Sequence, residues 1–196
     1  MILVIDLEAT CWEDNEYKQK NEMEIIELGG AILNDNFDLV GSVSVFIKPI
    51  LNPVLTDYCK NLTSIGQEDV NTAQEFPQAL PVFLCAVKKH LGQSNTLKNI
   101  VWASWGKYDA NQLKKDCQRH SVEYPFGYHW NIKEAFSKIR ETKKRFGVAK
   151  ALKKLELEFE GTPHRGVDDA INIARIIKKQ FMNENYKQFV EEEKIS

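Results

Sequence analysis

Met1-Ile-Leu-Val-Ile-Asp-Leu-Glu8 decides how this chain is read. Its five leading apolar residues are too few for a buried helix and predict a strand covered on both faces. The run closes on Asp6 and Glu8. Residues i and i+2 of a pleated strand share a face, so both carboxylates leave the end of a central strand together. Acids often close strands in solvent, but here Leu7 carries the apolar pattern on between the two. Like charges in a half-buried setting need a cation, or one of them keeps a proton. Hard oxygen donors of this kind suit Mg²⁺ or Mn²⁺.

Outward from that strand, residues 10–22 are polar and predict a loop. Segments 25–33 and 39–47 are apolar and β-rich, and Asn34-Asp35-Asn36 between them marks a hairpin. Pro49 and Pro53 end the second strand. Short helices are predicted over 56–62 and within 63–70. Pro77 opens an amphipathic helix carrying Leu80, Phe83, Val87 and Leu91. A polar linker over 92–98, a strand over 99–104 and a helix over 109–120 follow, then a weaker strand over 127–130. Helices are predicted over 132–139, 148–157 and 167–181, the last with Ala170, Ile173, Ala174, Ile177 and Phe181 at helical spacing. A hairpin followed by alternating strands and helices makes an α/β fold, a mixed sheet with helices on both faces. In such sheets sites form beyond the carboxyl ends of the strands, where Asp6 and Glu8 stand.

The length of 196 residues suits one domain over 1–182, with 183–196 as a charged tail or helix that sets Tyr186, Phe189 and Val190 on one face. With 43% hydrophobic and 28% charged residues the composition is that of a soluble globular protein. No apolar run approaches the ~20 residues of a membrane span. Met1 enters the strand without a basic n-region, so no signal peptide is expected, and the cysteine usage sets the expectation of a reducing cytoplasm. The four cysteines, Cys11, Cys59, Cys85 and Cys117, are widely spaced and form no C-x-x-C pair, against both zinc and a disulfide framework. A net charge of −2 disfavours a grip on long duplexes through phosphates alone and fits the holding of a short end.

Two further acids stand at matching places. Asp109 follows the strand ending Ala103-Ser104 and opens a helix, where an N-cap is the ordinary role. Asp168 and Asp169 begin the strongest helix, and one of them can cap it. Asp169 lies four residues before Ile173, on the margin of the buried stripe. His164, in Gly161-Thr-Pro-His-Arg-Gly166, precedes Asp169 by five residues. A single histidine is usually structural or solvated, yet His90, His120 and His129 have no comparable setting.

Taken in order, Asp6-x-Glu8, Asp109 and His164-x-x-x-x-Asp169 resemble the DEDDh 3′–5′ exonuclease family of the RNase H-like superfamily. Val4-Ile-Asp-Leu-Glu-Ala-Thr-Cys11, Glu24-Ile-Ile-Glu-Leu28, the stretch from Pro53 to Thr63 and Gly161-Thr-Pro-His-Arg-Gly-Val-Asp-Asp-Ala170 are similar to the exoribonuclease subgroup that trims histone-mRNA 3′ ends and small interfering RNA. The resemblance covers residues 1 to about 180. It implies an RNase H-like mixed five-stranded sheet. It further implies that Asp6, Glu8, Asp109 and Asp169 hold two divalent ions, Mg²⁺ or Mn²⁺, and that His164 is the general base; imidazole titrates close to neutrality. The implied reaction releases nucleoside 5′-monophosphates from a nucleic acid with a free 3′-hydroxyl, RNA favoured over DNA. Tyr58 and Tyr108 match aromatics that sandwich the terminal base, with Leu62 and Thr63 near its sugar. Family members often carry tryptophan where Tyr108 stands, and ordinary packing accounts for a half-buried tyrosine equally well. Lys143, Lys144, Arg145 and Lys150 read as a solvated face rather than a track for the strand. A DNA exonuclease remains the same-class alternative. A non-catalytic nucleic-acid-binding regulator would be expected to have lost an acid or the histidine, and all five are present. A two-carboxylate glycosidase accounts for Asp6 and Glu8 but not for the rest.

Overall fold

The computed structural model describes residues 1–14, 22–91 and 96–192. Parts of the predicted loop (15–21), linker (92–95) and tail (193–196) lie outside the described residues.

The hydrophobic opening is β1 (Ile2–Ala9), and it lies at the middle of the sheet. The hairpin supplies β2 (Ile25–Leu33), antiparallel to β1, and β3 (Leu39–Lys48), antiparallel to β2. On the other side β5 (Val101–Ser104) runs parallel to β1, and β6 (Tyr128–Asn131) parallel to β5. These are the five predicted strands. Two short edge strands extend them to seven: β4 (Gln74–Glu75) beside β3, and β7 (Val190–Glu192) beside β6. Two or three residues are too few to carry a period-2 pattern.

Seven α-helices are described. They are α1 (Asp57–Thr63), α2 (Gln67–Asn71), α3 (Phe76–Leu91), α4 (Tyr108–Arg119), α5 (Ile132–Ile139), α6 (Val148–Lys154) and α7 (Gly166–Phe181). Alternation along β1 divides the core between two layers. Leu3, Ile5 and Leu7 pack with Phe76, Leu80 and Phe83 of α3 and Leu113 of α4. Ile2 and Val4 pack on the other face with Ile173, Ile176 and Ile177 of α7 and with Phe136 of α5.

The tail docks, though not as an α-helix. Tyr186–Phe189 is a 3₁₀ turn, and Val190 to Glu192 pair antiparallel with β6. Tyr186 packs against Phe37 and Trp130, and Phe189 against Phe181. The open edge of β6 offers backbone partners that a short isolated helix lacks.

Candidate active site

Asp6 and Glu8 continue the Ile2–Val4 face of β1 and therefore emerge on the α7 side. Beyond Glu8 the pairing with β2 shifts register, an irregularity that re-aims the end of the strand. The first turn of α7 lies directly on the β1–β2 backbone. A Cβ on Gly29 would fall 1.9 Å from the carbonyl carbon of Gly166, and one on Gly166 would fall 2.9 Å from Asp6 O. Glycine at both positions permits that approach. It brings Asp169 to the two β1 acids, and carboxylate oxygens of Asp6, Glu8 and Asp169 all lie within 4.8 Å of one another.

Asp109 arrives from the parallel neighbour. β5 ends at Ser104, and α4 begins with Tyr108 and Asp109. Asp109 is buried and its Oδ1 accepts from Leu7 N–H at 3.3 Å. The helix N-caps are Lys107 and Arg165, so neither Asp109 nor Asp168 caps in the ordinary sense. Asp168 instead accepts from Thr162 N–H at 2.8 Å and ties the loop before α7 to its own helix.

His164 sits in that loop with φ +61, a left-handed conformation uncommon for a side chain of its size. Its N–H donates to Asp169 Oδ2 at 2.7 Å. One oxygen of Asp169 therefore fixes the histidine's backbone while the carboxylate stands among the acids.

The electrostatics are those of an incomplete site. Burial, followed by the charges of Asp109, Asp169 and Glu8, raises the Asp6 carboxyl well above the ordinary range. Burial and then Asp169 and Glu27 push Glu8 up to about 9. Asp109 rises to about 6, burial outweighing the N–H of Leu7. Asp169 is raised by burial against the opposing bond from His164. Among the described residues no donor bonds to the carboxylates of Asp6 or Glu8. Protons or cations must supply what the protein does not.

All four acids and His164 line one open cavity of about 650 Å³. Trp105, Tyr108, Phe159 and Pro163 form its apolar wall, and Arg145, Val148 and Lys150 border it. Tyr108 is 49% exposed at this wall. Tyr58, Leu62 and Thr63 stand on α1, outside the lining. Tyr58 is exposed and Leu62 half-buried. Thr63 is fully buried, with its hydroxyl donating to Cys59 O at 2.8 Å, so a direct sugar contact is not open to that side chain. α1 itself is held to the chain following β1 by Thr56 Oγ1, which donates to Cys11 O at 2.7 Å.

Three features escape sequence reasoning. Glu27 of β2 is fully buried opposite Glu8, and accepts from Ser44 Oγ at 2.7 Å, Gly166 N–H at 3.1 Å and Arg165 Nε at 3.2 Å. A lone acid inside the apolar 25–33 run is its trace in the sequence. Trp105 has no such trace, although it lines the cavity and its indole N–H donates to Phe146 O at 2.9 Å. Arg145 and Lys150 border the acids, where a solvated face was expected of the whole basic run.

Comparison with known proteins gives four concordant likenesses. The family model described as Exonuclease matches residues 3–177. The chain is 34% identical over 182 residues to human 3′-5′ exoribonuclease 1, covering 89% of this chain and 50% of that one. It is 34% identical over 211 residues to 3′-5′ exonuclease eri1 of Schizosaccharomyces pombe, covering 91% and 67%. It thus spans about half the length of the human relative. Among solved structures, the nuclease domain of 3′hExo, a DEDDh family member bound to rAMP, superposes with a TM-score of 0.87 at 28% identity, covering 100% of this chain and 96% of that one.

Proposed function

The chain belongs to this exonuclease family, with the RNase H-like fold of DEDDh nuclease domains, and from that premise we propose a metal-dependent 3′–5′ exonuclease of single-stranded RNA ends that releases nucleoside 5′-monophosphates. One observation carries the proposal: three carboxylates with oxygens within 4.8 Å, a fourth beside them and a histidine on the same cavity wall. The names of both relatives and the ribonucleotide in the solved neighbour support 3′-end chemistry and RNA.

Asp6, Glu8 and Asp169 fit hard divalent cations, being clustered oxygen donors whose mutual repulsion only positive charge relieves. Mg²⁺ or Mn²⁺ held there, with Asp109 beside them, would supply Lewis-acid polarisation of the scissile phosphate. The chain's own residues do the rest. His164 takes the proton of the attacking water on an imidazole nitrogen, and Asp169 aims it by holding the loop at the His164 N–H. Glu27, bonded to Arg165 and Gly166, keeps that loop and the α7 terminus seated. Tyr108 offers its face to the terminal base, with Trp105 and Phe159 excluding water beneath it. Tyr58, exposed on α1, can take the other face of a base entering over the acids.

The test is a ladder. Matched 5′-labelled RNA and DNA, single-stranded and duplex, are incubated with Mg²⁺ or Mn²⁺. Single-stranded RNA should shorten stepwise from its 3′ end, and EDTA should stop it. Cleavage of a circular substrate would exclude an exonuclease, and a faster DNA ladder would move the preference to DNA.

A further inference from the structure

The cavity that holds the four acids has a second border of opposite charge. Arg145 and Lys150 line it beside Gly147, Val148 and Ala149. Neither cation has a hydrogen bond or ion pair with another described residue. Lys143 and Lys144, from the same basic run, are not part of the lining. The run therefore divides, two charges on the border of the cavity and two outside its lining.

Arg145 is presented there by a fixed backbone. On one side Ser137 Oγ donates to Lys144 O at 3.0 Å, and on the other Trp105 Nε1 donates to Phe146 O at 2.9 Å. Phe146 is set edge-on against the buried ring of Phe136, which holds the loop to the core. Trp105 directly follows β5, so the strand that leads to Asp109 also anchors the loop that carries Arg145. Tethered carbonyls on both flanks and no acid partner among the described residues are what an anion-binding position needs.

A strand entering 3′ end first brings one phosphate per nucleotide. The scissile one belongs at the carboxylates and their cations. The next, on the 5′ side of the penultimate nucleotide, is still charged and must pass through the same cavity. We propose that Arg145 and Lys150 form a subsite for that upstream phosphate, a reading that rests on the exonuclease assignment above. Guanidinium takes phosphate in a two-pronged bond, while lysine acts as a point charge. The subsite grips the strand and stays outside the chemistry, so it should act on KM and leave kcat alone. Its exposure makes that grip salt-sensitive.

Two dinucleotides isolate it: NpN, and pNpN, which differs only by a phosphate at the proposed position. Turnover of both is measured for wild type, Arg145→Ala, Lys150→Ala, Arg145→Lys and the Lys143→Ala/Lys144→Ala pair. Equilibrium binding is measured in parallel with Ca²⁺ replacing Mg²⁺, which decides the subsite without turnover. The 5′-phosphate should tighten wild-type KM and Kd roughly tenfold, in keeping with a charge-assisted bond. Arg145→Ala should lose most of that gain and Lys150→Ala a smaller share, while Arg145→Lys keeps part. NpN should be handled alike by all, and melting midpoints should match. No gain from the phosphate in wild type would overturn the subsite. So would a gain that survives in both Arg145→Ala and Lys150→Ala, an equal loss on NpN, or an equal loss in the Lys143/Lys144 pair. A protein that binds both dinucleotides but cleaves neither would instead sink the exonuclease reading.

Discussion

Glu8 and Glu27 face each other across β1 and β2, yet they are opposite kinds of acid. Glu27 has a hydroxyl, a backbone N–H and a guanidinium bonded to it. Glu24, three residues earlier on the chain and also buried, gathers the N–H groups of Ile50, Leu51 and Asn52 at 2.7–3.0 Å. Asp116 likewise has Ile25 N–H and Arg119. Asp6 and Glu8 have no bonded donor among the described residues. Buried polar groups are normally satisfied because leaving them bare is costly. Glu24, Glu27 and Asp116 are clasps between segments, and the β1 acids are kept costly for a charge that comes from outside the chain. Position in the sheet does not separate the two kinds; the supply of donors does.

The sharpest test of that division is to remove one member of each kind. Asp169→Asn should cost on the order of 10⁴-fold in kcat, because cation-borne stabilisation of several kcal/mol depends on the cluster. The fold should survive it, since the clustered charge is unfavourable without metal. Asp168→Asn, next door, should keep most activity and lose about 1 kcal/mol through a weaker bond to Thr162 N–H. Rates and melting curves of the two variants check this. The reverse pattern would place the catalytic face of α7 one residue away.

His164→Asn comes next, at roughly 10²- to 10⁴-fold in rate, the usual contribution of a positioned base. Asparagine tolerates the left-handed φ, so the loop should persist and metal affinity should barely change. A variant at the wild-type rate would remove His164 from the proton transfer. Glu27→Ala should behave in the other manner. It strips the partners from Gly166 N–H, Ser44 and the partly exposed Arg165, and should lower stability by roughly 2–3 kcal/mol. Its rate at permissive temperature should fall less than that of Asp169→Asn. Equal loss of rate with an unchanged melting point would make Glu27 a site acid and erase the comparison.

What the sequence made legible is what local periodicity encodes. The opening strand, the shared face of Asp6 and Glu8 and the stripe of α7 follow from spacings of two and three to four residues, and the hairpin from its turn. The five-membered constellation became readable through a family pattern. Glu27 could not be given a role, because its partner Arg165 lies 138 residues away and only the packed Gly29–Gly166 contact brings them together. Arg145 looked like part of a solvent face because nothing local says which way a loop between two helices is tethered; Trp105 and Ser137 decide it. The edge strands β4 and β7 exist by pairing alone. Thr63 was expected near a sugar from its place in the pattern, while its burial is set by the packing of α1 on the chain after β1.

The smallest effect expected is a pH dependence of stability in metal-free protein, read as a difference between wild type and Glu8→Gln. The folded state holds Glu8 protonated up to about 9, against 4.5 for the ordinary side chain. Between those values the unfolded chain has released the proton and the folded chain has not. The folded state then binds more protons, so the Glu8 contribution to stability is present in full at low pH and declines as pH rises toward 9. Two other groups work the opposite way. His129 is pushed down to about 4 by burial, which adds stability as pH rises to 6.5, and Cys59, lowered to about 7 chiefly by its bond with Cys11, adds it above that. Both are present in wild type and in Glu8→Gln, so the difference cancels His129 and leaves of Cys59 only its repulsion with Glu8, which pushes the Glu8 carboxyl the same way as burial does. The variant should melt close to wild type near pH 5 and a few degrees above it near pH 9, the order of shift that one or two kcal/mol gives a chain of this size. Saturating Mg²⁺ should abolish the advantage, because wild type then has the charge that its own side chains do not supply. A constant difference across pH would mean that Glu8 is satisfied within the fold, as Glu27 is.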